Sequence, residues 1–203
     1  EIVSIADVPS GTGLGSSSTF SVGLLNALNF YKKQTVNEDK HFLAEEACKL
    51  EIDICKSPIG KQDQYAAAFG DLRLYEFKTD DSVEERKINC LPETKQLLCR
   101  NMLTFYIGGM RSANKILQSQ NVRLKESVKK RDMQKMVNLV WDLKNELESN
   151  NLDNFGDILH ENWLLKRGIT SSITNSEIDD IYDQAMSLGA KGGKLLGAGG
   201  GGF

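Results

Sequence analysis

Three glycines at alternate positions, Gly11, Gly13 and Gly15, run directly into Ser16, Ser17 and Ser18, and this stretch restricts the chain more than any other. A backbone without Cβ atoms can approach a ligand closely, and serine is favoured at helix N-termini. Phe20, Leu24, Ala27, Leu28 and Tyr31 then recur at three- and four-residue spacing, which predicts an amphipathic helix over about 17–33. A loop rich in N–H groups feeding the positive end of a helix is an anion site, and phosphate is the obvious anion. The spacing excludes three better-known loops. No lysine follows Gly15 as a P-loop requires, and Ser18 stands where a dinucleotide fingerprint needs its third glycine. No Gly-x-Ser-x-Gly elbow is present either. On local evidence the alternative is a flexible turn before an ordinary capped helix.

After a polar break at 34–40, a second helix is expected with Phe42, Ala47, Leu50 and Ile54 inward, ended by Pro58 and Gly60. Its acids, Glu45, Glu46, Glu51 and Asp53, are by default a solvated face. In Gly60-Lys61-Gln62-Asp63-Gln64 the aspartate is either a helix cap or a general base. Residues 71–90 read as two short strands joined by a polar hairpin at 78–81, and Leu91-Pro92-Glu93 as a crossover into a second domain. There, 102–107 reads as an apolar strand, which Gly108 and Gly109 turn into a helix beginning near Ser112. Arg111 and Lys115 are surface cations, or Arg111 pairs with a substrate phosphate. A long helix follows with Met133, Met136, Val137, Val140, Leu143 and Leu147 on one stripe, stopped at Asn150-Asn151. Phe155, Leu159 and Trp163 define the next helix, and Ser176 caps a last one through Ile178, Ile181, Tyr182 and Ala185. Finally, eight of the 18 glycines fall within residues 189–203. Leu195 and Leu196 interrupt them, as they would not in a flexible linker.

The pattern Pro9-x3-Gly13-Leu14-Gly15-Ser16-Ser17 resembles the second motif of the GHMP small-molecule kinases, and residues 189–203 resemble their third. The resemblance implies an α+β, two-domain GHMP kinase fold. Its N-terminal ATP-binding part (1–91) would be similar to ribosomal protein S5 domain 2 and incomplete at its start. Its C-terminal part (92–203) would be ferredoxin-like and incomplete at its end. The family's first motif lies upstream of this segment, so the piece alone is expected to be inactive. The resemblance further implies ATP held by Gly11, Gly13, Leu14, Gly15, Ser16, Ser17 and Ser18. It implies Mg²⁺ held by Glu51, seven residues before Pro58, with a serine of the loop, Ser17 being favoured over Ser16. Asp63 matches the family's Gly-x-x-Asp-Gln turn as catalytic base. Arg111, Gly197, Ala198, Gly199 and Gly200 would form the substrate and phosphate loop.

The finer texture is similar to kinases of D-glycero-D-manno-heptose 7-phosphate. It is carried by Pro58-Ile59-Gly60, Tyr106-Ile107-Gly108-Gly109-Met110-Arg111-Ser112, His160-Glu161-Asn162-Trp163 and the stretch 192–202. The implied reaction is phosphorylation of an anomeric hydroxyl towards a nucleotide-activated heptose for surface glycans. Fucokinase-like sugar kinases share much of this texture, and Met110 departs from the small or polar residue such relatives usually carry. A ligand sensor on the same fold is the non-enzyme alternative; it would not need both Glu51 and Asp63. Composition agrees with a globular chain: 40% hydrophobic, 26% charged and a net charge of −3 give no basic face for nucleic acid or anionic membrane. Cys48, Cys55, Cys90 and Cys99 lack a Cys-x2-Cys pair, so reduced thiols and a cytoplasmic location are expected. With two histidines, a histidine-based metal site is poorly supplied.

Overall fold

The computed structural model describes residues 3, 5, 7, 11–33, 39–108, 113–123 and 127–203. Helix α1 (Ser16–Lys33) leads to α2 (Lys40–Cys48), which continues without a break into a π-helical turn, Lys49–Ile54. Helix α3 (Gln62–Phe69), the antiparallel hairpin β1 (Arg73–Phe77) and β2 (Val83–Lys87), and α4 (Pro92–Asn101) follow. The remainder is helical: α5 (Ala113–Arg123), α6 (Ser127–Glu148), α7 (Phe155–Arg167) and α8 (Ser176–Ser187). Among the described residues no helix is long and apolar enough to cross a membrane.

Helix α2 explains how an acid comes to be buried. Asp39 caps it by accepting from the Phe42 N–H at 3.0 Å, and Leu43, Ala44, Ala47 and Cys48 form its inward face. The next residue on that face, one turn on, is Glu51, only 5% exposed. The expected inward positions Phe42 and Ile54 instead face outward, at 39% and 66% exposure. In α1, likewise, the expected stripe of Phe20, Leu28 and Tyr31 is exposed, and Ser18, Ser21 and Val22 are buried. Small side chains let α1 pack closely on α2 and α3, so size rather than hydropathy selects the buried face.

Three apolar clusters hold the elements together. Ala44 and Cys48 of α2 pack with Tyr65 and Phe69 of α3, and with Tyr75 and Val83 of the hairpin. Leu74 and Ile88 meet Leu147 of α6. Ile116 of α5, Trp163 of α7, Ile169, Ile173, Ile178 of α8 and Leu195 form the third. Leu139 lies on the buried face of α6 where Val137 and Val140 were expected, and both valines are 43% exposed.

Three other local expectations are corrected. Among the described residues 102–107 joins no sheet; Leu103 and Phe105 are 79% and 60% exposed. At the end of the segment the Ile107 N–H donates to Gly202 O and the Gly202 N–H to Gly108 O, each at 2.9 Å. Pro92 does not merely cross over; it occupies the first turn of α4, where a missing N–H costs nothing. The cap of α8 is Asn175, whose side chain accepts from the Ile178 N–H, rather than Ser176.

Candidate active site

Glycine loop 11–15 delivers α1 with its first turn open. The Thr19 N–H reaches back to Gly15 O at 2.9 Å, so the preceding amides, those of Ser16, Ser17 and Ser18, have no acceptor within the helix. No acid of α1 itself occupies that turn, and the positive helix end favours an anion. Leu14 is 40% exposed at the loop's tip.

Directly beneath lies Glu51. Ser17 Oγ donates to its Oε1, Ser18 Oγ donates to Oε2 at 2.8 Å, and Gln64 Nε2 donates to Oε2 at 2.6 Å. A buried carboxylate demands such company. The two serines differ in access: Ser18 is 3% exposed, whereas Ser17 faces solvent. Both belong to the carboxylate's cradle, but only Ser17 is open to a ligand.

Asp63 sits in the first turn of α3, alongside Gly15, where an added Cβ would lie 3.5 Å from the Asp63 Cγ. Burial raises the Asp63 carboxyl above its ordinary value; a hydrogen bond with Gln62 opposes this, and the nearby Glu51 charge adds to it. Two carboxylates of unequal surroundings therefore face the serine end of α1. That is the setting in which one holds a cation and the other handles a proton.

The C-terminal glycine loop closes on the first one. A Cβ on Gly13 would stand 2.9 Å from Leu196 O, and one on Gly202 only 2.2 Å from Thr12 O. The Phe203 N–H donates to Thr12 O at 3.2 Å, and Thr12 is 2% exposed. Lys166 of α7 fastens this loop from behind, donating to Leu195 O at 3.2 Å and Gly197 O at 2.7 Å. Burial, helped by the charge of Lys194, brings its ammonium down to about 8. Gln120 Nε2 donates to Ala198 O at 2.9 Å, and the Gly200 N–H to Ile173 O at 2.7 Å. Gly199 packs against Ile173. Thus 197–200 is anchored at several points.

Residues 11–18, Glu51, Asp63 and the 195–203 loop thus come together, although they lie far apart in sequence. Arg111 lies outside the described residues, as does Pro9. Gln64, Lys166 and Thr12 carry the site without having been singled out. Gln64 stands inside the quoted Asp-Gln motif, the one signal that pointed to it. Among the described residues no cluster of three or more His, Cys, Asp or Glu exists. The available donors, one carboxylate and a hydroxyl, are hard oxygens. They suit Mg²⁺, which is commonly held by one or two carboxylates together with phosphate and water.

Comparison with known proteins finds relatives of both halves of the chain. A model of the GHMP kinases N-terminal domain matches residues 1–71, and one of the GHMP kinases C-terminal domain matches 141–203. The chain is 29% identical over 198 residues to D-glycero-alpha-D-manno-heptose 7-phosphate kinase of Campylobacter jejuni, covering 98% of this chain and 58% of that protein. It is 30% identical over 223 residues to galactokinase of Pyrococcus furiosus, with 97% and 60% covered. Among solved structures, a D-glycero-D-manno-heptose 1-phosphate kinase from Bacteroides thetaiotaomicron superposes with a TM-score of 0.71 at 27% identity, over 95% of this chain and 53% of that one. L. major mevalonate kinase superposes at 0.68 with 20% identity, over 93% and 55%, a likeness of fold. The chain therefore spans little more than half the length of these relatives.

Proposed function

The chain belongs to the GHMP kinase family and has its α+β fold, and we propose that it phosphorylates a hydroxyl of a sugar or sugar phosphate with ATP. The observation that carries this reading is the buried Glu51 carboxylate, held by Ser17, Ser18 and Gln64 beside Asp63 at the open end of α1. A sensor would have no use for two carboxylates at a phosphate-binding helix end.

The first-turn amides of α1 and loop 11–15 bind the phosphates, and Glu51 with Ser17 would hold Mg²⁺. Bound there, the ion supplies neutralisation of charge on the phosphate oxygens. Asp63 accepts a hydrogen bond from the acceptor hydroxyl, aligns its oxygen and takes its proton as the new O–P bond forms and the γ-phosphorus bond to the bridging oxygen breaks, ADP leaving with that oxygen. Its raised pKa keeps it a stronger base than an exposed aspartate once ionised. The loop 195–203 excludes water from the same space. In this reading residues 1–91 are the ATP-binding part and 92–203 the C-terminal part.

For the acceptor we propose D-glycero-D-manno-heptose 7-phosphate, phosphorylated at its anomeric hydroxyl, in support of nucleotide-activated heptose synthesis. A relative named for heptose 7-phosphate kinase supports it, one named for heptose 1-phosphate kinase supports a heptose acceptor, and galactokinase and L-fucokinase relatives support a sugar acceptor more broadly. In the intact protein, ADP release is measured against heptose 7-phosphate, galactose and fucose. Heptose phosphate should give the highest kcat/KM, and a preference for either free sugar would reassign the acceptor. Asp63→Asn should lose turnover by roughly 10²- to 10⁴-fold, the range of acid–base contributions, while ATP still binds. Near-normal turnover would remove Asp63 from the chemistry.

A further inference from the structure

Gln64 has no exposed surface, and its two amide arms are in unlike situations. Nε2 donates to Glu51 Oε2 at 2.6 Å, whereas Oε1 is buried with no hydrogen-bond partner. The orientation is dictated by chemistry. An ionised carboxylate only accepts, so the NH₂ must face Glu51 and the carbonyl must face away. A buried carbonyl without a donor is a cost that a residue serving packing alone would avoid, since an apolar side chain of equal size would fill the space without it. The orphan oxygen belongs to the amide that grips the site's carboxylate.

Helix α3 places this residue with little freedom. Asp63 and Gln64 are neighbours in its first turn, after the Gly60-Lys61 approach, so adjacent side chains of one turn reach Gly15 and Glu51 respectively. Tyr65 and Phe69, packed with Ala44 and Cys48 of α2, lock the same helix against the one that carries Glu51. Of the three donors to Glu51, two are hydroxyls of α1. Their rotors turn freely, and Ser17 would be drawn off towards a ligand. Gln64 is the donor whose direction the fold itself sets.

We infer that Gln64 is a positioning residue of the cation site: its Nε2 holds the Glu51 carboxylate in its ligating orientation. This rests on the reading of Glu51 as the cation's carboxylate. Outer partners that orient a ligating group are worth roughly 10- to 100-fold in metal affinity.

The test uses the intact protein saturated with ADP, titrated with Mn²⁺, free Mn²⁺ being read by electron paramagnetic resonance. Gln64→Met keeps an unbranched side chain of similar volume and removes both polar arms. Its Kd for Mn²⁺ should rise about 10- to 100-fold, and turnover should recover at saturating Mn²⁺, a metal-dependence effect that a packing defect would not give. Glu51→Gln, in parallel, should abolish protein-dependent Mn²⁺ binding. If Glu51→Gln weakens Mn²⁺ and Gln64→Met leaves Kd unchanged, the role of Gln64 is overturned while that of Glu51 stands. If Glu51→Gln also has no effect, the reading of the site itself fails and this inference with it. Should Gln64→Met not fold, Gln64→Glu sets a second carboxylate against Glu51. The amide donor to Glu51 is then gone, and its Kd for Mn²⁺ should shift at least about 10-fold from that of the unmodified protein; an unchanged Kd would overturn the assignment.

Discussion

Gly202→Ala tests whether the two glycine loops must touch for the site to work. Gly202 has φ of +96°, and a Cβ there would stand 2.2 Å from Thr12 O, a backbone atom that cannot rotate away. Ordinary contact requires a retreat of about 1 Å. That retreat acts on the Gly202 N–H to Gly108 O, Ile107 N–H to Gly202 O and Phe203 N–H to Thr12 O hydrogen bonds. The φ strain costs roughly 1–3 kcal/mol, and weakening even one bond adds about 1 kcal/mol. Gly189→Ala separates these effects, because its φ is +99° but nothing lies within 4 Å of the new Cβ. It should lose only the strain energy and keep its turnover. Gly202→Ala should lose more stability, and about 10² in kcat if displacement of the loop misplaces groups by 1 Å. Urea unfolding and steady-state kinetics on the intact protein decide it. If Gly202→Ala is no less stable than Gly189→Ala and turns over normally, the contact between the loops is not functional.

Two further outcomes follow from titrating groups. The Asp63 carboxyl should titrate above the ordinary aspartate value when followed by ¹³C chemical shift. Glu51→Gln should bring it down only part of the way, because burial is the larger cause and the Glu51 charge the lesser; a return to an ordinary value would reverse that order. Because the folded pKa is the raised one, Asp63 opposes folding once pH exceeds the unfolded value, and Asp63→Asn should remove that penalty. Lys166 behaves in the corresponding way for a base. Its folded pKa of about 8 lies below the ordinary lysine value of 10.5, so the unfolded chain binds more protons between those limits and stability should climb with pH across them. The gain is at most ~3 kcal/mol, and Lys166→Met should flatten that slope in urea unfolding between pH 7.5 and 10. An unchanged slope would show that another group titrates there.

Periodicity located most helices but misjudged several of their buried faces. Phe20, Leu28 and Tyr31 outrank Ser18, Ser21 and Val22 in hydropathy, yet the serine face of α1 is the buried one, because close approach of α2 and α3 admits only small side chains there. Helix α4 escaped notice because its sequence is polar, although Pro92 in its first turn and Arg100 in its last are ordinary start and stop signals. The segment 102–107 has strand composition, but among the described residues it joins no sheet, and a strand exists only through its ladder.

The glycine–serine loop, the Asp-Gln turn and the closing glycine run were legible as local chemistry, since backbone freedom, helix polarity and acid placement are properties of short stretches. Together they set the family and the phosphate end of α1. That Glu51, among four acids on its helix, is the buried one was not local information. It required the inward face of α2 to run through the π turn, and Ser18 and Gln64 to arrive from two other helices. The touching loops were likewise settled only by tertiary packing, because they join residues more than 150 positions apart, and so was the lysine behind them, 31 positions from Gly197; no spacing along the chain encodes either contact.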